Sequence, residues 1–243
     1  MSGSDRALHP RDAAEQAQTP LSADKGSQVG EISMAYAVKE IFATLQGEGA
    51  RAGQAAVFCR FAGCNLWSGR EEDRDGAECP FCDTDFVGLD GKGGGRFATA
   101  AALADAIEAA WLGGAHDRYA VLTGGEPLLQ LDGGLLDAIH RLGFKVAVET
   151  NGTIDAPAGI DWITVSPKAG ARLRQRSGSE LKLVFPQPGL DPASLEILAF
   201  EHRWLQPMDG PQRLANTEAA VAYCLAHPQW RLSLQTHKLI GIP

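Results

Sequence analysis

From residue 98 onward the chain alternates short apolar runs with stretches of helical periodicity, and no other feature narrows the possible folds as much. Residues 98–111 (ATAAALADAIEAAW) read as a helix, YAVLTGG as a strand with its turn, and residues 128–142 (LLQLDGGLLDAIHRL) as helical around a Gly pair. FKVAVETNG, DWITVSPK and SELKLVF follow as strands, PASLEILAF as a short helix and HRWLQPM as a strand. NTEAAVAYCLAH reads as a helix with Asn216 as its N-cap, and QWRLSLQTH as the last strand. Strands and helices in this order argue for a parallel α/β sheet covered by helices. Roughly six such units are too few for a closed eightfold barrel, so the pattern predicts an open, partial (β/α) barrel. Upstream, YAVKEIFATL and AAVFCRFAG read as strands around the turn QGEGARAGQ, and LDGKGGGR as a flexible link. Residues 1–33 lack sustained apolar periodicity and predict a disordered leader, which leaves residues 34–243 as one domain.

A hydrophobic content of 44% supports one substantial core. The net charge of −8 gives no whole-chain attraction to nucleic acid or to an anionic membrane. No apolar run reaches spanning length, and the first residues lack the layout of a secretory signal, which points to the cytoplasm. Structural disulfides are rare there, and five cysteines do not pair off completely.

The polar motifs GGEP, ETNG, SPK and QPMD each follow a predicted strand. In parallel sheets the loops at the carboxyl ends of the strands converge, so these motifs predict a single site on one rim. Ahead of them stands CNLWSGREEDRDGAECPFCDT, with Cys64, Cys79 and Cys82. Together with Cys59 these would make a four-cysteine zinc site. Cys59 lies inside a strand and Cys224 inside a helix, however, where a free cysteine behaves as a small core residue. Three thiolates then remain, and on a 4Fe–4S cluster they would leave one iron open.

FCDT after a cysteine loop, with GGEP at the end of the next strand, resembles the radical S-adenosylmethionine (SAM) superfamily, although the usual C-x3-C-x2-C is here C-x14-C-x2-C. From about Tyr36 to the end, TLQGEGARAGQAAVFCRFAGCN, CDT, TGGEP, ETNG, SPK and QTHK are together similar to the 7-carboxy-7-deazaguanine synthase family, some members of which carry the same enlarged gap. The resemblance implies a partial barrel of the radical SAM type with an enlarged cluster-binding loop. It implies conversion of 6-carboxy-5,6,7,8-tetrahydropterin to 7-carboxy-7-deazaguanine with loss of ammonia, in queuosine and 7-deazapurine biosynthesis. A 5′-deoxyadenosyl radical would take hydrogen from the saturated C6 carbon. The implied partners are a one-electron donor such as flavodoxin and a second copy of the chain in a homodimer.

By the same resemblance Cys64, Cys79 and Cys82 hold the 4Fe–4S cluster and Thr84 ligates Mg²⁺. SAM falls to Phe81, Asp83, Gly124, Gly125, Glu126, Glu149, Ser166, Pro167, Lys168, Gln206, Pro207, Met208 and Asp209. The pterin falls to Leu45, Gln46, Gly47, Glu48, Arg60, Thr123, His237 and the carboxylate of Pro243, with no protein acid or base assigned. The residue chemistry agrees in part. Gly124 and Gly125 allow close backbone approach, and Glu126 accepts from an ammonium group. Arg60 alternates with Cys59 and Phe61, so it faces the other side of its strand and needs an anion, either the substrate carboxylate or an acid such as Glu48. The rival readings are a zinc-stabilised nucleotide-binding module and an activase that makes a glycyl radical on a partner.

Overall fold

The computed structural model describes residues 35–243; the expected leader at 1–33 lies outside the described residues. Strands β1 (Tyr36–Leu45) and β2 (Ala55–Phe61) form an antiparallel hairpin around a 3-10 turn at Gly49–Arg51. Strand β3 (Gly95–Phe97) pairs with the free edge of β1. Helix α1 (Ala100–Ala110) then leads into β4 (Tyr119–Gly124), which lies parallel to β2, and α2 (Gly133–Arg141) leads into β5 (Lys145–Thr150). Strands β6 (Trp162–Val165), β7 (Ser177–Phe185) and β8 (Ala199–Pro207) follow, then α3 (Arg213–Ala226), β9 (Arg231–Leu232) and α4 (Thr236–Ile240). The sheet runs β3-β1-β2-β4-β5-β6-β7-β8-β9, and from β2 to β9 every neighbouring pair is parallel. Its edges, β3 and β9, do not meet, so the barrel is open.

Period-two alternation gives each strand two faces. Outward, Cys59, Phe61, Leu122, Val146 and Val148 are buried with Leu103 and Ile107 of α1 and Leu135 and Ile139 of α2. Leu181, Leu183 and Leu205 form a second outward cluster with Ala220 of α3 and Trp230. Each fully buried side chain of this kind contributes about 1.5–3 kcal/mol. Inward, at the amino ends of the strands, Ala56, Tyr119, Val121 and Ala147 pack with Phe58 and Trp162 as an apolar floor. The Arg51 guanidinium lies over the Trp162 ring at 4.2 Å. One step further along the strands the inward residues turn polar: Arg60, Thr123, Glu149, Thr164, Lys182 and Gln206 all border one cavity.

Five local expectations need correction. Residues 128–142 are not one helix: a 3-10 turn at Pro127–Leu129 ends, and Asp132 then caps α2 by accepting from Leu135 N at 2.8 Å. LDGKGGGR is not a free link, because Lys92 O accepts from Ile41 N at 2.7 Å and the stretch runs into β3. PASLEILAF makes only a 3-10 turn at Pro192–Leu195, and its last two residues open β8. Asn216 is not a cap. Helix α3 starts three residues earlier, at Arg213, and buried Asn216 donates from Nδ2 to Met208 O at 2.9 Å, tying the helix to the loop after β8. Of QWRLSLQTH only Arg231 and Leu232 pair with β8; the chain then turns into α4, with Thr236 N donating to Gly47 O at 3.0 Å.

Candidate functional site

Fourteen residues separate Cys64 from Cys79, yet the backbone folds most of them out of the way. Glu78 N donates to Leu66 O at 3.2 Å and closes residues 67–77 into a side excursion. Across that bond only Asn65, Leu66 and Glu78 lie between the two cysteines, the separation that C-x3-C provides directly. A 3-10 turn at Glu71–Gly76 shapes the excursion. Arg74 lies over the Trp67 ring at 4.2 Å and donates to Pro80 O at 2.7 Å and Cys82 O at 3.1 Å, which binds the excursion to the CPFC segment. The Cys64 side of the loop is set by Gly124 and Gly125. A Cβ on Gly124, at φ +133°, would stand 2.2 Å from Phe61 O, and one on Gly125 2.1 Å from Gly63 O. The close backbone approach expected of these glycines is therefore made to the segment leading into Cys64.

Cys64, Cys79 and Cys82 border the same cavity. The neighbouring Cys79 thiol brings Cys82 down to about 6, while Cys79 itself is pushed up. Burial raises the Cys64 thiol. The Lys168 ammonium beside them is held by Ser166 O at 2.9 Å and Ser166 Oγ at 2.7 Å, and burial lowers its pKa. Three cysteine sulfurs bordering one cavity, with Cys82 poised as a thiolate, suit soft iron, so the residues fit an iron–sulfur cluster. Cys59 faces the opposite side of β2, fully buried in the core, and does not join the other three; Cys224 packs against the second core cluster. Among the described residues no three His, Cys, Asp or Glu side chains converge as a single metal ion requires, and zinc would need its sulfurs about 2.3 Å away.

The cavity has a volume of about 380 Å³, within the range of small-molecule sites. Of the residues singled out from sequence, Leu45, Gln46, Gly47, Glu48, Arg60, Thr123, His237 and Pro243 border it, as do Phe81, Asp83, Thr84, Gly124, Gly125 and Glu149. Ser166, Lys168, Gln206, Pro207, Met208 and Asp209 complete the rim. Glu126 and Pro167 are not among the bordering residues. Glu126 is fully buried behind the wall, where it accepts from Leu128 N at 3.0 Å, Thr150 Oγ1 at 2.8 Å and Asn151 N at 2.8 Å. It ties the GGEP turn to the ETNG turn and is not a solvated acid.

Arg60 finds its protein anion in Glu40, not in Glu48: its Nε donates to Glu40 Oε1 at 2.8 Å. Glu48 belongs to a separate network. Its Oε2 accepts from Lys182 Nζ, and its Oε1 accepts from Gln206 Nε2 and Gln235 Nε2, both at 3.1 Å. Lys182 also donates to Glu149 Oε2 at 3.2 Å, and Glu149 Oε1 accepts from Gln46 Nε2 at 2.8 Å. Burial opposes ionisation of Glu48, but the adjoining Lys182 charge prevails and holds its pKa below the ordinary value. The two carboxylates in turn push Lys182 up against the effect of its own burial. At the mouth, Lys238 bridges Asp83 and Asp209, both at 2.6 Å.

The sequence reading missed Lys182, Lys238, Gln235 and Glu40. A signal existed for Lys182: Leu181 and Leu183 occupy the outward face of β7, which forces Glu180 and Lys182 inward together. Lys238 is the final letter of the quoted QTHK. Gln235 is its first letter, and Glu40 stands directly opposite Arg60 in the β1–β2 register.

The Radical SAM superfamily profile matches residues 76–180. The chain is 69% identical over 210 residues to 7-carboxy-7-deazaguanine synthase of Bordetella pertussis, covering 86% of this chain and 100% of that protein. It is 67% identical over 210 residues, with the same coverage, to the protein of that name from Caulobacter vibrioides. The crystal structure of QueE from Escherichia coli superposes with a TM-score of 0.61 at 26% identity, covering 84% of this chain and 95% of that one.

Proposed function

The chain belongs to the 7-carboxy-7-deazaguanine synthase family of radical SAM proteins, and from that membership we propose that it converts 6-carboxy-5,6,7,8-tetrahydropterin to 7-carboxy-7-deazaguanine with loss of ammonia. It is a carbon–nitrogen lyase of queuosine and 7-deazapurine biosynthesis. The observation that carries the reading is one cavity bordered both by Cys64, Cys79 and Cys82 and by Gln46, Glu48, Arg60 and Glu149. Cys64, Cys79 and Cys82 would hold a 4Fe–4S cluster, which together with SAM would supply the one-electron radical chemistry that the reaction needs.

The chain's own residues bind, orient and exclude water. Glu48 and Gln46 accept from and donate to the amino-pyrimidinone edge of the pterin, and Arg60 draws in the substrate carboxylate by a charge-assisted bond. Thr123, His237, Leu45, Gly47 and the end of the chain at Pro243 complete that subsite. Ser166, Lys168 and the 206–209 loop, with Phe81, Asp83 and the Gly124–Gly125 backbone, hold SAM. The Thr84 hydroxyl, which borders the cavity, would hold Mg²⁺, a cation that prefers oxygen ligands and would supply positive charge to the site. Residues 34–243 act as one domain and residues 1–33 as a dispensable leader. The homodimer and the flavodoxin-type donor rest on the family resemblance, and the cytoplasmic location on the reading of the sequence. Among the described residues no helix is long and apolar enough to cross a membrane.

Anaerobic reconstitution with iron and sulfide, followed by SAM, a reductant and the carboxypterin, tests the reading. Equimolar 7-carboxy-7-deazaguanine and ammonia are expected; iron-loaded protein that cleaves SAM yet forms no deazapurine would overturn the substrate assignment. Chelator treatment should lower turnover, Mg²⁺ should restore it, and Thr84→Ala should blunt the restoration. Equal, Mg²⁺-independent rates in both proteins would remove Thr84 from the scheme.

A further inference from the structure

Lys182 stands in the cavity wall with no role in the scheme above. Its side chain is 6% exposed, against 13% for Glu48 and 21% for Glu149, the two carboxylates it joins. It rises from the middle of β7, between outward Leu181 and Leu183, so its backbone is fixed by the core. Glu48 comes from the turn after β1 and Glu149, which the resemblance gave to SAM but which bonds Gln46 and Lys182, from β5, so one ammonium links three separate parts of the barrel. Two carboxylates on one ammonium leave a net charge of −1 in a half-buried wall. Each carboxylate oxygen accepts about two hydrogen bonds. The protein donates only once to each oxygen of Glu149 and once to Glu48 Oε2, while Glu48 Oε1 is filled by Gln206 and Gln235. The unfilled capacity is therefore all acceptor, on two residues that border the cavity.

We propose that Lys182 is a positioning and specificity-determining residue, which holds Glu48 and Glu149 as a paired acceptor surface that admits a heterocycle edge carrying an amino group and a ring N–H and rejects one carrying a carbonyl there. The inference rests on the pterin reading of this cavity and deepens it. Without the ammonium, two carboxylates side by side disfavour each other's ionisation, and one takes up a proton. A protonated carboxyl donates as well as accepts. It then tolerates a carbonyl edge, and discrimination falls. The other charged or titratable groups acting on this network are Glu180 on the same strand, Lys168 after β6 and His237 on α4. Glu180 already accepts from Thr164 Oγ1 at 2.8 Å, Trp162 Nε1 at 3.2 Å and Ala50 N at 2.9 Å, so it does not replace either partner of Lys182.

The test is equilibrium binding to the anaerobically reconstituted, SAM-loaded enzyme, using 6-carboxytetrahydropterin and its analogue with oxygen in place of the 2-amino group. A site built around a substrate hydrogen bond rejects the analogue lacking it strongly, and wild type should prefer the amino compound by about 100-fold or more. Lys182→Met should lower that ratio about tenfold or more at neutral pH, raise KM more than it lowers kcat, and recover discrimination as the pH rises. Lys182→Arg should keep most of the ratio. Glu149→Gln, which places a donor in the acceptor surface while Lys182 stays intact, should also relax the ratio, and it decides the matter if Lys182→Met fails to fold. A wild-type ratio in Lys182→Met, or in Glu149→Gln where only that variant folds, overturns the inference alone. Wild-type enzyme that binds neither pterin overturns the substrate reading and the inference with it.

Discussion

On β7, Leu181 and Leu183 point outward into a core with Leu205 and Trp230, while Glu180 and Lys182, on alternate residues of the same strand, point inward to carboxylates, hydroxyls and an indole. β2 repeats the division, with Cys59 and Phe61 outward and Arg60 inward against Glu40. The outward face asks only for apolar volume, so similar side chains can replace one another there at modest cost. The inward face is fixed by charge sign and donor geometry, where even an isosteric change leaves a partner unpaired. Function in this barrel is therefore written in every second residue of strands whose other residues hold the fold.

The comparison breaks most sharply if the two faces are cut separately. Leu183→Ala should cost about 2–5 kcal/mol of stability while KM for the pterin stays within about twofold of wild type below the melting transition. Glu48→Ala should cost about 3–5 kcal/mol, because it removes one partner of a buried pair, and should also raise KM steeply. Chemical denaturation combined with steady-state kinetics measures both. A large KM change in Leu183→Ala would erase the division between the faces.

A smaller effect is expected at the end of the chain. Thr44 Oγ1 donates to Pro243 O at 2.7 Å, so the terminus is tied to β1 beside the cavity. Adding several residues after Pro243 should raise KM about tenfold, a loss of about 1.4 kcal/mol in binding. The same addition at the other end should change neither KM nor turnover. Kinetics at matched iron content make the comparison, and full activity with the extended terminus would reduce it to packing.

The smallest effect is on stability against pH. Glu48 has its pKa held below its ordinary 4.5, so its contribution is complete above that value and is lost as pH falls through the lower, folded-state value. The acid limb of the melting temperature should therefore be steeper in wild type than in Lys182→Met, where the depression is absent. Identical limbs in the two proteins would mean that the pair does not couple to folding.

Much of this was legible in the sequence because β1, β4 and β5 are built on apolar runs and fall inside the stretches read from it. The polar motifs after those strands led to one rim because parallel topology leaves their loops nowhere else to converge. What escaped was decided by distant contacts. Asn216 has the chemistry of a cap, but Met208 O claims its side chain one turn inside α3. QWRLSLQTH has strand composition, but only Arg231 and Leu232 find an edge to pair with before Gly47 redirects the chain. Lys182 was passed over because a lysine in a strand reads as surface, although the alternation with apolar Leu181 and Leu183 already turned it inward. The excursion at 67–77 hid the short cysteine spacing, since the Leu66–Glu78 bond that restores it leaves no mark in the sequence.

The measurement that tests the account most directly is the iron and acid-labile sulfide bound per chain by Cys82→Ala and Cys59→Ala, reconstituted side by side with wild type under anaerobic conditions. One thiol borders the cavity and the other lies in the core behind it. The account predicts about four irons for wild type and for Cys59→Ala, with SAM cleavage in both, and loss of cluster and cleavage in Cys82→Ala. A folded Cys59→Ala protein that has lost its iron, or a Cys82→Ala protein that keeps a full cluster, would contradict it.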